Sequence, residues 1–106
     1  MIEYEVAERS GDYVVLRLRG ELLGDLPVRW LHDALEEHYV DDGVRVIKVD
    51  LSDVDRISLE GVAVLVDLWR ESQRRGKQFQ AEQARGGVRE KLATTGVLRL
   101  LSGDAG

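Results

Sequence analysis

The chain has no cysteine among its 106 residues. That removes disulfides, thiolate metal sites and thiol nucleophiles together. It has no apolar run near the roughly 20 residues that a membrane-spanning helix needs, so direct membrane insertion is not expected. Basic clusters are scarce too: the longest is Arg74-Arg75, and the formal net charge is −5. This argues against nucleic-acid binding by phosphate neutralisation, and favours solubility and a partner with a basic patch. Twelve arginines against three lysines read as a genome bias more than a binding site. The amino terminus, MIEYEVAERS, alternates and is charged, unlike a signal peptide. A reducing cytoplasm is the expected location.

The motifs of catalysis are missing as well. There is no HExxH, no Ser-His-Asp order and no glycine-rich phosphate loop; Arg85-Gly86-Gly87-Val88 alone is too weak to count. His32 and His38 stand six apart on one predicted helix, do not face each other and are expected at the surface. No metal set, cofactor site or catalytic apparatus is visible, so a non-enzyme is expected.

What is present is the composition of a folded protein, 43% hydrophobic, of a size for one domain over 1–106 with a short tail from about 102. Ile2 to Glu8 alternates apolar and charged residues, as a half-buried strand does. Ser10-Gly11-Asp12 signals a turn, and Tyr13 to Leu18 a second strand. Gly20 to Gly24 reads as a loop. A helix follows, with Asp25 able to cap it, Pro27 in its first turn, and Trp30, Leu31, Ala34, Leu35 and Tyr39 as its stripe. Asp41-Asp42-Gly43 closes it.

Val44 to Leu51 (VRVIKVDL) reads as a core strand rich in β-branched residues. A charged loop, Ser52 to Ser58, then feeds a helix from Leu59 to near Gly76. A strand's carboxyl end handing over to a helix amino terminus is where sites lie in open α/β sheets. A weaker strand spans Lys77 to Glu82 with Phe79 and Ala81 inward. A short helix runs from Val88 to Thr95 and stops at Gly96. Val97 to Leu101 is apolar with no assignable state. The order predicts an α/β fold, a mixed sheet of about four or five strands with helices packed against it.

These residues resemble the STAS domain family, which includes bacterial anti-sigma factor antagonists. The resemblance rests on the element order, on Asp50-Leu51-Ser52, on the turn ending at Gly61 before an aliphatic helix, and on VREKLATTGVLRLL. In that last segment Val88, Leu92, Thr95, Gly96 and Val97 match the family's V-x-x-x-L-x-x-T-G-L. Members that act as phosphorylation switches carry D-S-[ST]-G before the helix, and a partner kinase modifies the first Ser. Here Ser58, Leu59, Glu60 and Gly61 fall on those four positions, and only the glycine is kept. Leucine cannot accept a phosphate, so the resemblance implies a member without the usual Ser switch. The family often continues into a last strand and helix; a chain lacking them would leave a sheet edge or face uncovered, favouring self-association, as in a homodimer, or partner docking.

Ser58 has two readings, a helix N-cap worth ~1 kcal/mol or a displaced phosphoacceptor; a hydroxyl tied to the helix is poorly placed for modification. Glu60 is favoured in a first helical turn by ~0.3–1 kcal/mol and supplies less charge than a phosphoserine. With Asp53, Asp55 and Arg56 it makes an acidic corner. Along the helix Val62, Leu65, Val66, Trp69 and Gln73 are expected in the core. Val64, with Leu68 on its flank and Asp67 beside it, is expected on the opposite face, as either ordinary exposed aliphatics or a docking stripe. Replacing Val64 with Asp is then expected to cost binding and little stability.

The resulting expectation is a non-enzymatic signalling module in bacterial transcription regulation. It binds a kinase-like anti-sigma factor or related regulatory ATPase through Asp53–Gly61 and the following helix. The alternative is a small STAS-like subunit of a lipid-transport ABC ATPase complex. Nucleotide binding at the acidic corner is disfavoured, since carboxylates repel phosphate.

Overall fold

The computed structural model describes residues 2–24 and 26–102, the side chains of 26–29 excepted. The expected cap at Asp25, the Pro27 side chain and the tail at 103–106 lie outside them. The elements are β1 (Ile2–Ser10), β2 (Tyr13–Leu22), α1 (Leu26–Tyr39), β3 (Val46–Ile57), α2 (Leu59–Arg74), β4 (Gln78–Glu82), α3 (Gly86–Thr94) and α4 (Leu98–Ser102). The expected mixed α/β sheet forms with four strands in the order β1-β2-β3-β4. β1 runs antiparallel to β2, while β2, β3 and β4 are parallel. The segment left unassigned in the sequence is α4, which buries Leu101.

The topology follows from local rules. A hairpin closes at Gly11, whose φ of +56° suits the tight reversal. Parallel neighbours then require crossovers, which α1 and α2 supply. Alternation puts Val14, Leu16 and Leu18 of β2, Ile47, Val49 and Leu51 of β3, and Phe79 and Ala81 of β4 into one buried cluster. Leu31, Leu35 and Tyr39 of α1 complete it with α2. Ser72, a fully buried hydroxyl, donates to Leu68 O at 2.8 Å and lies 3.3 Å from the Tyr39 hydroxyl. This satisfies a polar atom that would otherwise destabilise the core. Lys77 Nζ reaches back to Asp41 O (2.7 Å) and Val44 O (2.6 Å), holding the loop after α1.

Three expectations are corrected. β2 continues to Leu22 and β3 to Ile57, so Gly20–Leu22 and most of the supposed loop are strand. The cause is bulging. Between Arg17↔Asp50 and Arg19↔Asp53, and again between Gly20↔Val54 and Glu21↔Arg56, β3 spends one residue more than β2. Each extra residue breaks the two-residue alternation while the pairing continues. His38 is buried, 7% exposed, in the last turn of α1 and not at the surface. In α2 the buried positions are Gly61, Val62, Val64, Leu65, Leu68 and Ser72. Val64 and Leu68 are therefore core residues, Val66 and Trp69 are only half-buried, and Gln73 is exposed.

Candidate functional site

β2, β3 and α2 meet at one corner, and Ser58 knots them together. Its extended backbone (φ −93°, ψ 173°) makes it the N-cap of α2. Its Oγ accepts from Gly61 N at 3.1 Å and from Gly24 N at 3.2 Å. Its own N–H donates to Leu22 O at 3.1 Å. The cap reading of Ser58 matches this geometry, and a hydroxyl holding two backbone donors is poorly placed for modification.

Gly61 is demanded by packing. A Cβ there would lie 2.3 Å from Leu22 O and 2.8 Å from Ile57 Cγ1, closer than such atoms approach. Leu22 O already accepts from Ser58 N, so the backbone cannot yield without breaking the knot. The same contact sets the rotation of α2. With Gly61 inward, residues 64, 65, 68 and 72 follow it into the core, and Leu59, Ala63, Asp67 and Arg70 face out. The sequence reading chose another phase because VAVLV is apolar on every side.

Leu59 therefore projects from the first turn of α2, 64% exposed, and Leu23, just after β2, is 38% exposed. Two cavities against α3, adjoining at Gly87 and Lys91, make up a groove. Its inner part is lined by Leu23, Asp55, Arg56 and Ile57 with Gly87, Val88 and Lys91 of α3. Its outer part is lined by Leu59 with Gly87, Glu90, Lys91, Thr94 and Thr95. Gly87 leaves the floor open, since a Cβ there would meet nothing within 4 Å. Glu60 is exposed, and its carboxyl is held below the usual range by its own backbone N–H, by the Ser58 hydroxyl and, farther off, by Lys91. Thr95 donates to Lys91 O at 2.8 Å and closes α3.

Of the residues singled out in the sequence, Asp55, Arg56, Ser58, Leu59, Glu60 and Gly61 gather at this corner. Asp53 lies farther back on β3 with Arg19 at 3.9 Å, and Arg56 pairs with Glu21 at 3.2 Å. Asp67 lies two turns along α2, 3.9 Å from Arg70. Val64 and Leu68 do not belong to the surface at all. Sequence reasoning missed Leu23, Gly87, Val88, Lys91 and Thr94. The available signal was a loop leucine before α1 and a glycine pair opening α3, both of which need the tertiary fold to be placed. Among the described residues no group of three His, Asp or Glu side chains could hold a metal ion, and no helix is long and apolar enough to cross a membrane.

Comparison with known proteins adds context. The sequence profile of the family described as "Mlab, STAS domain" matches residues 6–102. No curated protein matches the chain. Among solved structures, the anti-sigma factor antagonist SpoIIAA of Bacillus in its unphosphorylated form is similar, with a TM-score of 0.75 at 18% identity, covering 94% of this chain and 85% of that one. An anti-sigma factor antagonist from Mycobacterium paratuberculosis gives 0.73 at 20% identity, covering 95% and 83%. The murine anion transporter Slc26a9 gives 0.74 at 16%, covering 88% of this chain and 15% of that one. At these identities the likeness establishes the fold alone.

Proposed function

Because the chain belongs to the STAS domain family, we propose that it is a non-enzymatic regulatory module that docks a protein partner on the Leu23–Leu59 groove, without a phosphorylation switch. The partner favoured is a kinase-like anti-sigma factor or related regulatory ATPase, bound in the cytoplasm without cofactor or metal. The observation that carries this reading is Leu59, an aliphatic side chain 64% exposed at the position where switching members of the family carry their modified serine. An exposed leucine beside a groove contributes apolar area to an interface. Ser58, one residue earlier, is occupied as a cap. The corner therefore stays competent to bind whatever a kinase does, and occupancy follows the concentrations of the two proteins.

The second reading, a small STAS-like subunit of a lipid-transport ABC ATPase, is favoured by the same absence of an acceptor hydroxyl, because a permanent subunit needs no toggle. Purification of the tagged chain from its source cells separates the two. A regulatory ATPase should be retained by the native chain and lost with Leu59→Asp; a transporter nucleotide-binding subunit behaving this way would favour the second reading. If Leu59→Asp, still folded, retained every partner of the native chain, the groove reading would fall. A stoichiometric phosphate on the corner after incubation with a cognate kinase and ATP would end the switch-free account.

A further inference from the structure

Resting on that docking reading, we propose that the groove's occupant is a basic amphipathic segment of the partner: an apolar side chain seated between Leu23 and Leu59, with Lys or Arg on its flanks. The apolar part follows from shape. Leu23 and Leu59 are exposed, buried Ile57 and Val88 line the inner part with Leu23, and Gly87, common to both parts, leaves space that a side chain can enter.

The basic flanks follow from which charges remain free. Asp55 stands at the inner part of the groove and Glu90 at the outer part, with Glu60 next to Leu59. All three are exposed, and among the described residues none forms an ion pair. Against these three carboxylates, two cations line the groove, Arg56 and Lys91. Arg56 is neutralised by Glu21 at 3.2 Å, and Lys91 is half-buried with its field falling on Glu60. A leucine centre inside a carboxylate rim repels an acidic segment and attracts a basic one, with the rim governing encounter and the leucines residence. The net charge of −5 acts in the same direction at longer range.

The test is a titration of the full isotope-labelled chain, read by amide shifts, with three synthetic twelve-residue peptides. One carries leucines on one face and arginines on the other, the second replaces arginine by glutamate, and the third replaces leucine by serine. The Leu/Arg peptide should bind saturably, shift the amides of Leu59, Gly87 and Thr94, and bind at least about tenfold more tightly than either control. Leu59→Ser should abolish those shifts. The double variant Asp55→Asn with Glu90→Gln, at exposed positions where folding is checked by thermal melting, should weaken binding about three- to tenfold and flatten its salt dependence. Equal binding of the Leu/Glu peptide, shifts centred away from the groove, or no saturable binding would overturn the proposal. A natural partner lost with Leu59→Asp but indifferent to the double variant would leave the docking reading standing and remove only the basic occupant.

Discussion

Val64 is 1% exposed, and a carboxylate there would be buried within the apolar cluster. Val64→Asp should therefore cost more than about 3 kcal/mol and leave the chain largely unfolded. Thermal melting checks this, and an unchanged midpoint would put Val64 back on the surface where the sequence reading had it. His38 is the second residue with a measurable consequence. Its Nε2 is buried without a hydrogen-bond partner, the Glu37 carboxylate at 3.6 Å being too distant for a hydrogen bond. Burial pulls its pKa below the ordinary 6.5, against the opposing pull of Glu37, with Arg9 lowering it further and Asp41 raising it. The unfolded chain then takes up a proton near pH 6.5 that the folded chain refuses. Stability should be intact above that pH, decline as pH falls below it, and level off once the folded pKa is passed. Melting of the native chain and of His38→Gln between pH 7.5 and 5.5 should give a slope in the first that is reduced in the second; parallel slopes would exclude His38 as the cause.

At the scale of elements, α2 depends on its N-cap, Ser58, for position more than for helix formation. Ser58→Ala removes the acceptor for Gly61 N and for Gly24 N, the latter at the connection from β2 into α1. The expected loss is about 1–2 kcal/mol, at the upper end for a cap because two donors are stranded. Ser58→Asp, which restores an acceptor, should recover part of it; an alanine variant as stable as the native chain would show that water replaces the hydroxyl. Element existence was legible wherever period and punctuation agreed. The β1–β2 hairpin, α1 and β4 with Phe79 and Ala81 inward came out as read, and so did α3 with its stop at Gly96, whose φ is +80°. The site was half legible. Ser58, Leu59 and Glu60 at the helix start depend on local order, which a sequence carries. The end of β3 and the phase of α2 do not. Bulges erase the alternation by which a strand is recognised, and an apolar run such as VAVLV fits two rotations equally until Gly61 meets Leu22 O. Lys91 and Leu23 entered the groove only through tertiary packing.

Across the whole molecule the sheet is layered from the centre outward. β2 and β3 are flanked by strands on both sides, whereas β1 is an edge whose residues are mostly exposed. Its ladder shifts register between Val6 and Glu8, and Glu3, Glu5 and Glu8 discourage pairing with another edge. Amide exchange should therefore be slowest at Leu16, Leu18, Val49 and Leu51 and faster along β1, because local opening of an edge exposes less apolar surface than global unfolding. Uniform protection over all four strands would mean that the sheet opens only as a unit. Ser58 binds three otherwise separate segments at short range, and the effect reaches association kinetics. Since the Leu23 and Leu59 side of the groove is already stitched in place, little chain freedom would be surrendered there when another protein arrives. Complex formation should proceed in a single phase whose rate keeps rising with partner concentration, with no slow isomerisation to limit it.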